Sequence, residues 1–189
     1  MLTVCSCSFI KDKFGGNKGN ADGPATVETF EAAVENTNAA GIIVKSEVET
    51  ALGKLTSEFD IAYKADGSAT VEYKYEKFNL IGEGDEEKSV IEGTVVRAAD
   101  GTYTGDVPEG LDLSSVNASA ALNLDAVKDA AVINEAGDVL EVNVPSAKSA
   151  EVFGAEFSRD AVLEIFLANG VVSQMKITFE GGKITYQYS

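Results

Sequence analysis

The chain of 189 residues carries 31 acidic and 15 basic side chains, a formal charge of −16, and contains no histidine. That charge argues against nucleic acid as a partner and against docking on anionic lipid through a basic face, and the missing imidazole excludes Ser-His-Asp and Cys-His catalysis together with histidine metal ligation. The hydrophobic content of 44% suits one folded domain with a full core, and no stretch is continuously apolar for long enough to make a membrane-spanning helix.

The N-terminal stretch MLTVCSCSFIKDKFGGNKGNADGP holds both cysteines, Cys5 and Cys7. As metal ligands they supply two thiolates, and no histidine or further cysteine completes a tetrahedral site. As a disulfide, Cys-x-Cys closes a ring too small for good geometry. Val4-Cys5-Ser6-Cys7 resembles the lipobox of bacterial lipoproteins, matching its aliphatic first position, its small third position and its lipidated cysteine. The resemblance implies lipid attachment at Cys7. The other register, Leu2-Thr3-Val4-Cys5, puts valine where the pattern wants its smallest residue. A signal peptide also needs a charged segment and an apolar stretch, and only Met1 to Val4 precedes Cys5, so the resemblance implies a start upstream of Met1. Lys11 to Pro24, rich in Gly, Asn and Lys, reads as a solvated tether. Ser8-Phe9-Ile10-Lys11 satisfies S-x-x-K, but the partner motifs S-D-N and K-T-G are missing and a tether cannot orient a nucleophile. Residues 1–24 are therefore expected to be a lipobox remnant and flexible tether, and 25–189 a single α+β domain.

From Thr26 to Thr37, Val27, Phe30 and Val34 recur at helical spacing, with Glu28 early in the helix. After Gly41 the period becomes two. Strands are expected at 42–51, 55–64 and 69–78, the last alternating Val71, Tyr73 and Tyr75 with charged residues. A three-residue loop Ala65-Asp66-Gly67, with Gly67 left-handed, puts Phe59 opposite Tyr73 and Ile61 opposite Val71; a two-residue loop would expose the aromatics. Residues 80–88 read as an acidic loop lacking the ligand order of a calcium loop. Strand character resumes at 89–98, and Ala99-Asp100-Gly101 turns it into a short strand at 102–105. Residues 106–125 give no clear pattern, and Asn117-Ala118-Ser119 is a sequon by letter alone. A short strand or helix at 126–133, a strand at 139–144 ended by Pro145, and a short helix at 146–153 follow.

Three strands close the chain: 161–168, 171–179 and 183–188, joined at Asn169-Gly170 and Gly181-Gly182. Taking Gly181-Gly182 as the turn puts Phe179 opposite Ile184, Ile177 opposite Tyr186 and Met175 opposite Tyr188. Residues 159–168 would also fit a helix capped by Ser158, but the β-branched content and the Asn-Gly turn favour a strand. The expected fold is α+β, an N-terminal helix with a large curved antiparallel sheet of two meanders, possible as an open half-barrel.

On that reading the apolar sheet faces carry Phe59, Ile61 and Tyr63 on one strand, Val71, Tyr73 and Tyr75 on the next, and Met175, Ile177, Phe179, Ile184, Tyr186 and Tyr188 on the C-terminal hairpin. These twelve are the candidate apolar ligand-lining residues. The element order and the lipobox together resemble the half-barrel lipoprotein carriers of the LolA and LppX/LprG type. That resemblance implies an open antiparallel barrel that binds acyl chains, and no binding residue is carried over from it. The expected function is a non-catalytic, extracytoplasmic lipoprotein anchored to the cell membrane, with a lipid or small apolar ligand, no cofactor, no metal and no nucleic-acid partner. The alternative is a cell-surface structural or adhesion module with a fully packed sheet. Carboxylate-only catalysis, as in glycoside hydrolysis, has no pair singled out by spacing.

Overall fold

The computed structural model describes residues 25–37, 39–51, 53–79, 87–105 and 122–189. Cys5, Cys7, the tether, the acidic residues 80–86 and the unpatterned 106–121 lie outside the described residues. The architecture is α+β. Among the described residues ten strands run, in hydrogen-bonding order, β5 (Tyr103–Gly105), β4 (Glu87–Arg97), β3 (Ala69–Asn79), β2 (Gly53–Tyr63), β1 (Gly41–Thr50), β10 (Gly182–Tyr188), β9 (Val171–Phe179), β8 (Ala161–Ala168), β7 (Val139–Val144) and β6 (Ala131–Ile133), an open antiparallel sheet. The chain divides into two compact units, one ending at Thr37 and resuming at Asp112–Val172, the other comprising Asn38–Leu111 and Ser173–Ser189.

In the first unit, helix α1 (Val27–Asn36) starts at Thr26, whose N–H donates to Thr29 Oγ1 at 3.2 Å, satisfying an otherwise unpaired donor. Its buried stripe is Phe30, Ala33 and Thr37, while Val27 and Val34 are only half-buried. The stripe is thus turned from the one expected. Thr37 explains why: its Oγ1 donates to the Ala33 carbonyl at 2.6 Å and accepts from the Val172 N–H at 3.3 Å. Strands β6 (Ala131–Ile133), β7 (Val139–Val144) and β8 (Ala161–Ala168) pair antiparallel, with Leu140 opposite Ile165 and Val142 opposite Leu163. All four of these side chains are at most 1% exposed, which makes this pairing the core of the unit. Residues 159–168 thus include strand, not helix.

Two 3-10 turns (Leu124–Ala126 and Lys128–Ala130) precede β6, so the expected element at 126–133 is half turn and half strand. After Pro145 a 3-10 turn leads into helix α2 (Ser149–Phe153), which Gly154 ends at φ +67°. Ser149 is 1% exposed and fully engaged: Oγ donates to the Ser146 carbonyl and accepts from the Phe157 N–H. The hairpin from β8 turns at Asn169 (φ +55°) and Gly170 (φ +79°), the two positive φ values that a primed two-residue turn requires. The following strand β9 (Val171–Phe179) begins in this unit and continues in the other.

The second unit is a meander of β1 (Gly41–Thr50), β2 (Gly53–Tyr63), β3 (Ala69–Asn79), β4 (Glu87–Arg97) and β5 (Tyr103–Gly105), with β10 (Gly182–Tyr188) paired to β1 and the rest of β9 to β10. The β2–β3 turn is the expected three-residue loop. Tyr63 meets Ala69, Ile61 meets Val71, Phe59 meets Tyr73, and Gly67 stands at φ +83°. Asp66 Oδ1 accepts from the N–H and hydroxyl of Ser68, and Asp100 does the same for Thr102, so one Asp-Gly device closes both turns.

The C-terminal hairpin departs from expectation by two residues. Phe179 pairs with Gly182, Ile177 with Ile184 and Met175 with Tyr186. The turn is Glu180-Gly181, with Gly181 at φ +82° in its second position, and Gly182 is already strand. A Cβ on Gly182 would come within 2.6 Å of the Glu47 carbonyl and 2.7 Å of the Phe179 ring. Gly182 is therefore used for close packing, and Gly181 for the turn.

Candidate functional site

The register carries the site. Across the second unit, residues of one face line up in cross-strand rows. One row runs Val95, Val71, Ile61, Ile42, Tyr188 from β4 to β10. The next runs Gly93, Tyr73, Phe59, Val44, Tyr186, Met175, and the third runs Ile91, Tyr75, Ser57, Ser46, Ile184, Ile177. Phe179 belongs to a fourth row with Gly182, Val48 and Leu55, and Tyr63 stands one step beyond the first. All twelve candidate residues thus fall on one face of one unit. The two-residue shift in the C-terminal hairpin leaves that true, because a shift of two keeps every side chain on its face.

Their exposure separates them. Phe59, Ile61, Val71, Tyr73, Met175, Ile177, Ile184 and Tyr186 are buried, none above 4%. Tyr63, Tyr75, Phe179 and Tyr188 are half-buried. The Phe59 ring meets Tyr75 edge-on, centroids 5.8 Å apart and planes at 80°, the arrangement that aromatic quadrupoles favour. Tyr73 lies over Gly93, where a Cβ would stand 2.5 Å from its hydroxyl. At the β2–β4 end the face opens: Leu55 and Tyr75 are half-buried and Ile91 is 49% exposed, beside the buried Ser57.

Leu55, Ser57 and Ile91 are additions to the candidate set. Ile91 was ambiguous in sequence because Ser-Val-Ile-Glu-Gly-Thr-Val-Val offers apolar residues to both faces. Its pairing with Tyr75 assigns it.

The opposite face of the same strands is ionic. Glu47 receives Lys183 at 3.1 Å and Lys54 at 3.2 Å, and these two hydrogen bonds hold its carboxyl below the ordinary range. Glu76 is lowered in the same way by Lys74 at 3.0 Å and Lys88 at 3.3 Å. Lys45 pairs with Glu58 at 3.1 Å, and Lys88 sits 5.2 Å from the Phe78 ring centroid. This face has the chemistry of a solvated surface, since exposed pairs in water each contribute little. At β5, burial raises the Tyr103 hydroxyl above its ordinary value.

No protein-family model matches the sequence, and no curated protein matches it. Among solved structures the chain is similar to the crystal structure of LprF from Mycobacterium bovis, at 11% identity and a TM-score of 0.41. The match covers 88% of this chain and 94% of that one.

Proposed function

We propose that this chain is the folded part of a non-catalytic, membrane-anchored extracytoplasmic lipoprotein, attached through Cys7, whose apolar sheet face takes a hydrophobic ligand. Val4-Cys5-Ser6-Cys7 and the Gly/Asn/Lys-rich stretch after it support the anchor. The observation that carries the ligand reading is the gathering of aromatic and aliphatic side chains on one face that stays open at Leu55, Tyr75 and Ile91. An apolar surface with a hydroxyl beside it suits an acyl chain bearing a polar end. The ligand's contacts fall first on the open end, and the eight buried candidates behave as packed core until a ligand or a movement parts them.

A second reading, a cell-surface structural or adhesion module, is favoured by that same burial: Tyr73 and Tyr186 keep only 4% and 3% of their surface. A binding titration separates the two. Protein purified under native conditions should bind an environment-sensitive fluorescent fatty acid saturably, and native mass spectrometry should find lipid bound. Ile91→Asp should weaken probe binding roughly tenfold or more by placing a charge in the apolar contact. Val132→Asp, on β6 at 66% exposure, should leave it unchanged. No saturable binding would turn the assignment to the structural module. For the anchor, a palmitate analogue fed to a bacterium expressing the chain behind a lipoprotein leader should label the wild type and not Cys7→Ser.

A further inference from the structure

Strand β4 has β3 along its whole length on one side, but on the other side β5 pairs only with Val95, Val96 and Arg97. Among the described residues, Glu87 to Thr94 have no strand on that side. The direction of their backbone groups follows from the register. The Ala98 N–H donates to the Thr102 carbonyl at 2.8 Å, away from β3, and the β3–β4 ladder runs unbroken from Asn79–Glu87 to Ala69–Arg97. Residues in step with Ala98, namely Lys88, Val90, Glu92 and Thr94, therefore aim their N–H and C=O groups at the edge. An edge of this length is a template for another strand.

We propose that this edge pairs with β4 of a second copy, antiparallel about a twofold axis through Val90. The charges select that partner and that register. About Val90, Lys88 falls opposite Glu92 of the copy, and Glu92 opposite Lys88. Every such pair joins residues whose backbone groups face the edge, so the ladder closes with full hydrogen bonds. Sliding by two residues sets Glu92 against Val90, and sliding by four sets Lys88 on Lys88 or Glu92 on Glu92. A one-residue slip sends the backbone groups the wrong way and brings the ionic face of one copy against the apolar face of the other. Lys88, Val90 and Glu92 are all exposed on the ionic face, with Val90 at 43%, so a single valine contact is flanked by two ion pairs. The interface is isologous, as closed dimers require.

Sedimentation velocity from micromolar to millimolar protein should show a reversible monomer–dimer equilibrium. Lys88→Glu alone and Glu92→Lys alone should each weaken dimerisation roughly tenfold or more, because like charges then face each other. An equimolar mixture of the two variants should dimerise as the wild type does. Val90→Pro removes a donor that faces the edge rather than β3, so it should abolish the dimer while the far-UV circular dichroism of the monomer is kept. A wild type that stays monomeric at millimolar concentration overturns the proposal. So does a dimer that both single charge reversals leave intact. Slow hydrogen exchange at the Val90 and Glu92 amides in dilute monomer would show that the chain covers its own edge, and would also overturn it.

Discussion

Gly93→Ala tests whether the aromatic face is packed as tightly as its register indicates. The added Cβ would lie 2.5 Å from the Tyr73 hydroxyl oxygen, 2.8 Å from Cζ and 3.2 Å from Cε1. Ordinary contact begins near 3.4 Å, so the ring must retreat by nearly 1 Å, and Tyr73 is only 4% exposed. It stands in a row against Phe59, itself 1% exposed and in ring contact with Tyr75. Overpacking of this kind costs about 1–3 kcal/mol. Alanine recovers about 0.5–1 kcal/mol over glycine in a strand. The net expectation is a loss of about 1–2 kcal/mol, read as a lower urea midpoint with an unchanged slope. Tyr73→Leu deletes the Cζ and hydroxyl that the new methyl meets, so Gly93→Ala should cost less in that background than in the wild type. A neutral or stabilising Gly93→Ala, or an equal cost in both backgrounds, would refute the packing argument.

Gly170→Ala should cost about 1–2 kcal/mol from backbone conformation alone, because its φ is +79° and no atom lies within 4 Å of the added Cβ. Gly170→Asn should recover most of that loss in the same thermal melt, asparagine being tolerant of the left-handed region. Leu163→Ala, at 0% exposure in the first unit, should cost about 2–5 kcal/mol by leaving a cavity, and should leave fatty-acid binding per folded molecule unchanged. Glu47→Gln addresses pH. Lys183 and Lys54 depress the Glu47 carboxyl, so its contribution to stability is present at neutral pH and is lost as pH falls through the ordinary carboxylate range toward the lowered value. The melting-temperature gap between wild type and Glu47→Gln should therefore be small but positive at pH 7 in low salt, and should close on acidification. A gap independent of pH would contradict it.

Much of the second unit was legible because strand period and loop length constrain each other. Phe59, Ile61 and Tyr63 share a face with Val71, Tyr73 and Tyr75 only if the loop between them holds an odd number of residues, and Ala65-Asp66-Gly67 satisfies that. The C-terminal hairpin shows the limit of the same reasoning. A Gly181-Gly182 turn and a Glu180-Gly181 turn differ by two residues in pairing, so alternation of apolar side chains cannot separate them. In the register adopted, the Glu47 carbonyl of β1 approaches where a side chain at residue 182 would stand, which is why the glycine is needed there. In α1 the apolar letters pointed to Val27, Phe30 and Val34, whereas the buried stripe includes Thr37 because its hydroxyl bonds both Ala33 and Val172. The open end of the candidate site was also hidden, since Ile91 lies in a strand with apolar residues on both faces.

The most direct test of the central claim is an NMR titration of the isotopically labelled protein with a medium-chain fatty acid. Saturable shifts should appear at Leu55, Ser57, Tyr75 and Ile91, where the apolar face is open, while Leu140 and Leu163 in the core of the first unit stay in place. Absence of saturable shifts at those four residues, or shifts confined to exposed Val132 and Val171, would contradict the claim that this sheet face takes a hydrophobic ligand.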